Sequence, residues 1–190
     1  YPKDGNYVGP AETRGIVDGN NKPTDLYTGI DVGWSTLSLA KPNTLKFVND
    51  VIRELAEITP GPYLHIGGDE AHVTKKEEYI KFINQFSEIV KANNKKMIGW
   101  EEIAQADIDG NAIAQHWASE EHATAAAAKG AKIIMSPSKK VYLDMQYDST
   151  TRLGLHWAGY IEVDTAYIWD PATLEPGIKR ENIVGVEAPL

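Results

Sequence analysis

The sequence predicts an α/β fold, and within that class it favours part of a (β/α)8 barrel over an open doubly wound sheet. Three observations carry this. Strand-length apolar runs alternate with helix-period segments from residue 42 to residue 188, the pattern of a parallel sheet with crossover helices. Five runs (63–67, 96–100, 112–117, 132–136 and 182–188) are apolar or nearly so, as strands covered on both faces should be. Polar or aromatic residues close run after run: Asp69 and Glu70, then Trp100, Glu101 and Glu102, then His116 and Trp117, then Ser136. Barrel enzymes build their sites from that rim, whereas an open sheet concentrates its site at one switch point. Neither GxGxxG nor GxxxxGKS/T occurs, so no phosphate-cradling loop is expected.

The elements follow in order. Residues 1–41 are dense in Gly, Pro, Asn and Asp and read as a long loop. An amphipathic helix spans 42–58, with Pro42 in its first turn. Leu45, Val48, Ile52 and Leu55 lie on one face, widened by Val51 and Ile58. "TPGP" stops it before the strand 63–67. A second helix, about 75–92, carries Tyr79, Phe82, Ile83, Phe86, Ile89 and Val90 at three-and-four spacing. After the strands 96–100 and 112–117, a third helix spans 119–130, with Ser119 as N-cap and Gly130 just past its end. The strand 132–136, an aromatic-rich stretch and the strand 182–188 complete the chain.

A chain of 190 residues suffices for one domain with a real core. The net charge of -8 argues against nucleic acid as a partner. No apolar run approaches a membrane span. Without Cys, disulfides, thiolate metal sites and a cysteine nucleophile are excluded. The first residues read as a loop already under way and the last as a strand just finished, so the expectation is a segment of a longer polypeptide. Five Trp and nine Tyr against three Phe suit sites where a ring must stack and also hydrogen-bond, although core packing explains most such residues in most proteins.

"YLHIGGDEAH" (63–72) concentrates the chemistry. Gly67 and Gly68 permit backbone closed to other residues and close approach of a ligand. Side chains alternate along a strand, so Asp69 and Glu70 can share one site only where the strand bends. Carboxylates held close do not ionise independently, and a protonated acid beside an ionised neighbour is what glycosidic cleavage requires. Two alternatives stand beside this. A lone Asp-Glu pair after a strand is commonly a solvated turn. His65, Asp69, Glu70 and His72 could form a metal cluster, but the spacing matches no HExxH helix pair, and a mid-strand His65 is more often a satisfied core histidine.

"YLHIGGDEAH", "IGWEEI", "AQHW", "VYLDMQY", "LHWAGY" and "GVEAPL" occur in the order and at the spacing of the family 20 glycoside hydrolases, the β-N-acetylhexosaminidases. "LYTGIDVGWSTLSL" is similar to the same family, so the resemblance covers essentially the whole chain. It implies a (β/α)8 barrel with "YLHIG" as strand four, this chain holding roughly strands four to eight within one partial catalytic domain (1–190). It implies a retaining, exo-acting, substrate-assisted hydrolysis in which the sugar's 2-acetamido oxygen attacks the anomeric carbon and forms an oxazolinium. By position, Glu70 is the implied general acid and then base, and Asp69 orients the acetamido N–H. Tyr142 hydrogen-bonds the acetamido carbonyl oxygen, and Trp100 and Trp117 wall its pocket. Asp144 binds an outer hydroxyl, Trp157 lies near the leaving group, and the segment around Val32 lines the pocket's edge. The implied partner is a glycan ending in N-acetylhexosamine or a chitooligosaccharide, with no cofactor and no metal, and the substrate class suggests an exported or cell-surface protein. The family's strand-one Arg and its "DxPGH" segment are absent, as is the Trp-x-Glu expected after "GVEAPL". These departures look like truncation. They leave two alternatives: a lacto-N-biosidase of the same family, and a non-catalytic carbohydrate-binding remnant.

Overall fold

The computed structural model describes residues 7–8, 32, 36–37, 39–41 and 43–190. The chain divides into two compact units, residues 1–97 and 98–190. Most of the loop expected over 1–41 lies outside the described residues, as does Pro42. Within that stretch β1 (Tyr7–Val8) and β2 (Thr36–Leu37) form a short antiparallel pair, which its turn-rich composition did not suggest.

In the first unit α1 (Asn43–Ile58) buries Thr44, Val48 and Ile52, one residue per turn. Leu55, predicted on the apolar face, and Val51 and Ile58, predicted to widen it, are exposed. Among the described residues α1 packs on α2 (Lys76–Ala92), and a single neighbouring helix covers a stripe, not a broad face. α2 buries Tyr79, Ile83 and Val90, with Phe82 edge-on to Phe86 at 5.7 Å. Between the helices runs β3 (Tyr63–His65), two residues shorter than predicted. The turn before it is held by Lys95, whose ammonium donates to the carbonyls of Thr59 (2.5 Å) and Gly61 (2.6 Å). The Lys96 N–H donates to the Pro62 carbonyl at 2.8 Å, which sets the start of β4 (Lys96–Trp100).

In the second unit the end of β4 pairs in parallel with β5 (Ile113–His116), β5 with β6 (Lys132–Met135), and β6 with β7 (Ile183–Val186). Every residue of β5 is buried, as a strand flanked on both sides requires. β3 and β7 depart from that expectation. Tyr63, Val184 and Val186 are exposed; β3 buries only Leu64, and β7 buries no residue. The 3-10 turn Glu101–Gln105 follows β4 directly and packs on α3 (Glu120–Ala128). Ala123 and Ala126 are fully buried there; alanines let the helix approach closely. Ser119 caps α3, its hydroxyl accepting from the His122 N–H at 3.2 Å. Lys129 donates to the carbonyls of Ala104 and Ala106 at 2.7 Å each. After β6 the chain forms the short helices α4 (Ser138–Val141) and α5 (Val163–Tyr167).

Gly177 packs against α3 so tightly that a Cβ would stand 2.3 Å from the Thr124 hydroxyl oxygen. Gly177→Ala should therefore destabilise the full-length protein by about 1–3 kcal/mol in thermal unfolding. Gly61→Ala, where a Cβ would meet nothing within 4 Å, should change stability by less than about 0.5 kcal/mol.

Candidate active site

The acidic pair sits on a turn of unusual backbone. After β3, Gly67 and Gly68 have φ of 74° and 101°, and Glu70 itself has φ 49°. A left-handed conformation costs a residue with a Cβ about 1–2 kcal/mol, so the surrounding contacts must impose it. They are visible. The Gly67 N–H donates to Nδ1 of His65 at 3.1 Å. The buried Tyr79 of α2 donates its O–H to the Gly68 carbonyl at 2.6 Å, and the His72 N–H donates to the Glu70 carbonyl at 2.8 Å. His65 is thus neither a core histidine, being exposed, nor part of a metal cluster: among the described residues no group of three His, Asp or Glu is placed to hold an ion. It fixes the turn. Asp69 is exposed and Glu70 half-buried. Both line a cavity of about 410 Å³ in the first unit, together with Val32, Ile66, Thr74 and Phe82.

The second unit gathers the aromatic residues. Trp100 and Trp117 meet edge-to-face at 6.4 Å, Trp117 and Trp157 at 6.1 Å, and Tyr142 and Trp157 at 5.4 Å. Four aromatics singled out from the sequence thus form one contiguous cluster. Asp144 lies two residues beyond Tyr142, and its Oδ1 is buried without a hydrogen-bond partner among the described residues. Such an oxygen is costly unless something else satisfies it. The Asp144 carbonyl accepts from the Leu155 N–H at 2.9 Å. This tie brings the segment carrying Trp157 back beside Tyr142.

Beside the cluster lie carboxylates to which motif reading gave no role. Glu101 is fully buried. One of its oxygens accepts from the Trp117 N–H and faces Nδ1 of His116 at 3.2 Å; the other accepts from the N–H groups of Ala118 (2.9 Å) and Ser119. Nε2 of His116 lies 3.2 Å from Glu175. Nearby, Gln115 donates to Ser136 (3.0 Å) and Glu187 (2.9 Å), and Ser136 donates to Glu187 (3.0 Å). These side chains join the ends of β5, β6 and β7.

The sequence model of Glycosyl hydrolase family 20, catalytic domain, matches residues 10–79 and 72–190. The chain belongs to this family. It is 44% identical over 177 residues to a β-N-acetylhexosaminidase of Cellulomonas fimi, covering 92% of this chain and 36% of that protein. Among solved structures, the family 20 β-N-acetylhexosaminidase of Streptomyces coelicolor A3(2) superposes with a TM-score of 0.86 at 45% identity, over 90% of this chain and 36% of that one. A mutant Streptomyces plicatus β-hexosaminidase in complex with product GlcNAc gives 0.86 at 43%, with the same coverage. The chain therefore spans about a third of the length of these relatives. Its α/β fold is part of the family's (β/α)8 barrel, as the strand-end pattern predicted.

Of the family 20 residues named from the sequence, Asp69, Glu70 and Val32 share the cavity of the first unit, and Trp100, Trp117, Tyr142 and Trp157 share the cluster of the second. What sequence reading misses is the support: Tyr79, Glu175 and Glu187 carry no signal of it, Glu101 and His116 stand out only as strand-end residues, and His65 only as a core or metal-ligand candidate. A usable signal was present in "WEE" and "QHW", where polar residues flank each Trp; their pairing across 15 residues was not visible.

The geometry around His116 also favours its charged form. A neutral imidazole has one N–H and one lone pair, so between two carboxylates one contact would set lone pair against lone pair. Burial alone would lower the His116 pKa, but hydrogen bonds and charge from Glu101, then Glu175, outweigh it and raise the value above 6.5. A raised folded-state pKa contributes stability that is complete below the ordinary histidine value and lost as pH rises through the folded one. Melting temperature should thus fall as pH is raised through and above the histidine range, and His116→Gln should abolish that slope. A second expectation concerns Gly154, with φ 102° and a Cβ position 2.9 Å from the Asp144 carbonyl oxygen. Gly154→Ala should cost about 1–3 kcal/mol and displace the Tyr142–Trp157 pair, visible as a change in tryptophan fluorescence.

Proposed function

We propose that this chain carries the acid pair and the aromatic acetamido pocket of a retaining exo-β-N-acetylhexosaminidase acting on glycans that end in GlcNAc or GalNAc. The observation that carries the reading is the Asp69–Glu70 pair, held on a strained left-handed turn at the end of β3 in a family 20 catalytic domain. Strain of this kind persists where a side chain's aim matters more than backbone ease. The relatives' names, and the GlcNAc complex of the Streptomyces plicatus protein, support the substrate class.

The mechanism proposed is substrate-assisted. Glu70 gives its proton to the glycosidic oxygen as the bond to the anomeric carbon breaks. The acetamido carbonyl oxygen of the same sugar forms the new bond, which yields an oxazolinium. Asp69 accepts a hydrogen bond from the acetamido N–H and stabilises the positive charge that grows there. Tyr142 donates to the acetamido oxygen and aligns it for attack, while Trp100 and Trp117 confine the methyl group. Glu70, now a carboxylate, takes a proton from water, which opens the oxazolinium with net retention. Asp144 meets an outer hydroxyl of the terminal sugar. Trp157, more than half exposed, offers its face on the leaving-group side, and Val32 closes an edge.

In the full-length protein Glu70→Gln should lower kcat about 10³-fold and Asp69→Asn about 10²-fold. Aryl N-acetylglucosaminides should be cleaved and matched glucosides should not. Equal rates on the two substrates would overturn the substrate-assisted mechanism. Sugar binding without hydrolysis would favour a carbohydrate-binding role. Because Glu70 occupies left-handed backbone, Glu70→Asn, which tolerates it better, should raise stability by roughly 0.5–1 kcal/mol while abolishing turnover.

A further inference from the structure

The strand-end cluster contains a buried carboxylate to which the proposed mechanism gives no task. We propose that Glu101 is a positioning residue: anchored by His116 and Glu175, it fixes Trp117 and thereby sets which N-acyl group the sugar site admits. The inference rests on the reading of Trp117 as a wall of the acetamido pocket.

The argument is one of saturation. A carboxylate offers about four acceptor directions, and Glu101 has four polar neighbours: the backbone N–H groups of Trp117, Ala118 and Ser119, and Nδ1 of His116. Three successive amides on one side chain leave the chain after β5 a single path. The Trp117 carbonyl is held as well, accepting from the Ser138 N–H at 2.8 Å. The indole is restrained separately, with Nε1 3.4 Å from both carboxylate oxygens of Glu102 and its ring in edge-to-face contact with Trp100 and Trp157. The adjacent pair Glu101–Glu102 therefore divides one task, Glu101 holding the backbone of Trp117 and Glu102 steering its ring. Behind Glu101, the buried His116 and then the half-buried Glu175 continue a chain of polar contacts. It prevents the carboxylate from rotating away from the amides.

Gln at position 101 would keep the volume but lose this pattern. Its amide NH2 would face N–H donors, and only its oxygen could accept. Specificity by acyl size depends on a wall placed to within a fraction of an ångström, so loosening Trp117 should relax it. A change that merely lowered the folded fraction would reduce turnover of every substrate equally and leave the ratio between them intact.

The test compares kcat/KM for aryl glucosaminides bearing N-acetyl and N-propanoyl groups in the full-length enzyme. The proteins are wild type, Glu101→Gln, Trp117→Ala and the double variant, with Glu175→Gln as the milder lesion at the less buried end of the chain. The expected result is that Glu101→Gln and Trp117→Ala each reduce the preference for N-acetyl about tenfold. The double variant should reduce it no further, since both changes act through one side chain. Glu175→Gln should shift the preference in the same direction by less, and it decides the matter if Glu101→Gln does not fold. A preference lost in Trp117→Ala but intact in folded Glu101→Gln, or in Glu175→Gln where that variant decides, would overturn the positioning role alone. A preference intact in Trp117→Ala would overturn the reading of Trp117 as a pocket wall and remove the basis of the inference.

Discussion

The fully buried carboxylate of Glu101 is the interaction on which the second unit's strand ends depend. A bare carboxylate in that position would be strongly destabilising, since burial strips it of water. Here three main-chain amides and a histidine replace the water. One of these bonds satisfies the N–H of Ser119, the N-cap of α3, which the helix itself leaves without an acceptor. Because Glu101 begins the turn after β4 and its partners begin the turn after β5, one side chain sets the spacing of two loops. Trp100 and Trp117 inherit their positions from it.

The first unit solves a similar problem by other means. The turn after β3 is shaped by its backbone. The chain adopts positive φ at Gly67, Gly68 and Glu70, and hydrogen bonds from and to Tyr79 and His65 hold it there. The two devices differ in sensitivity. The first-unit turn contains two residues that only glycine serves without strain, so it is vulnerable to side chains. The second-unit clamp contains an ionisable chain, so it is vulnerable to charge, and the raised His116 pKa gives it a pH limit on the alkaline side.

Much of this was legible in the sequence. Helix and strand order came from periodicity, the Ser119 cap from residue type, and the aromatic site from the resemblance to family 20. Three things were not legible, for physical reasons. The exposure of Leu55 and Ile58 on α1 depends on how much of a helix its neighbours cover, which periodicity does not report. The left-handed backbone of Glu70 belongs to a turn tied by His65, His72 and Tyr79 and carries no mark in the residue itself. Glu101 pairs with His116 across 15 residues, and His116 with Glu175 across 59. A charged residue beside a Trp gives no sign that it turns inward.

The most direct measurement is amide hydrogen exchange on the full-length protein at Trp117, Ala118 and Ser119. All three lie in the connection between β5 and α3, where exchange is ordinarily fast. A carboxylate that holds these three N–H groups predicts protection comparable to that of the buried strand β5, and its loss at all three together in Glu101→Gln. Fast exchange at these amides in the wild-type protein would contradict the account.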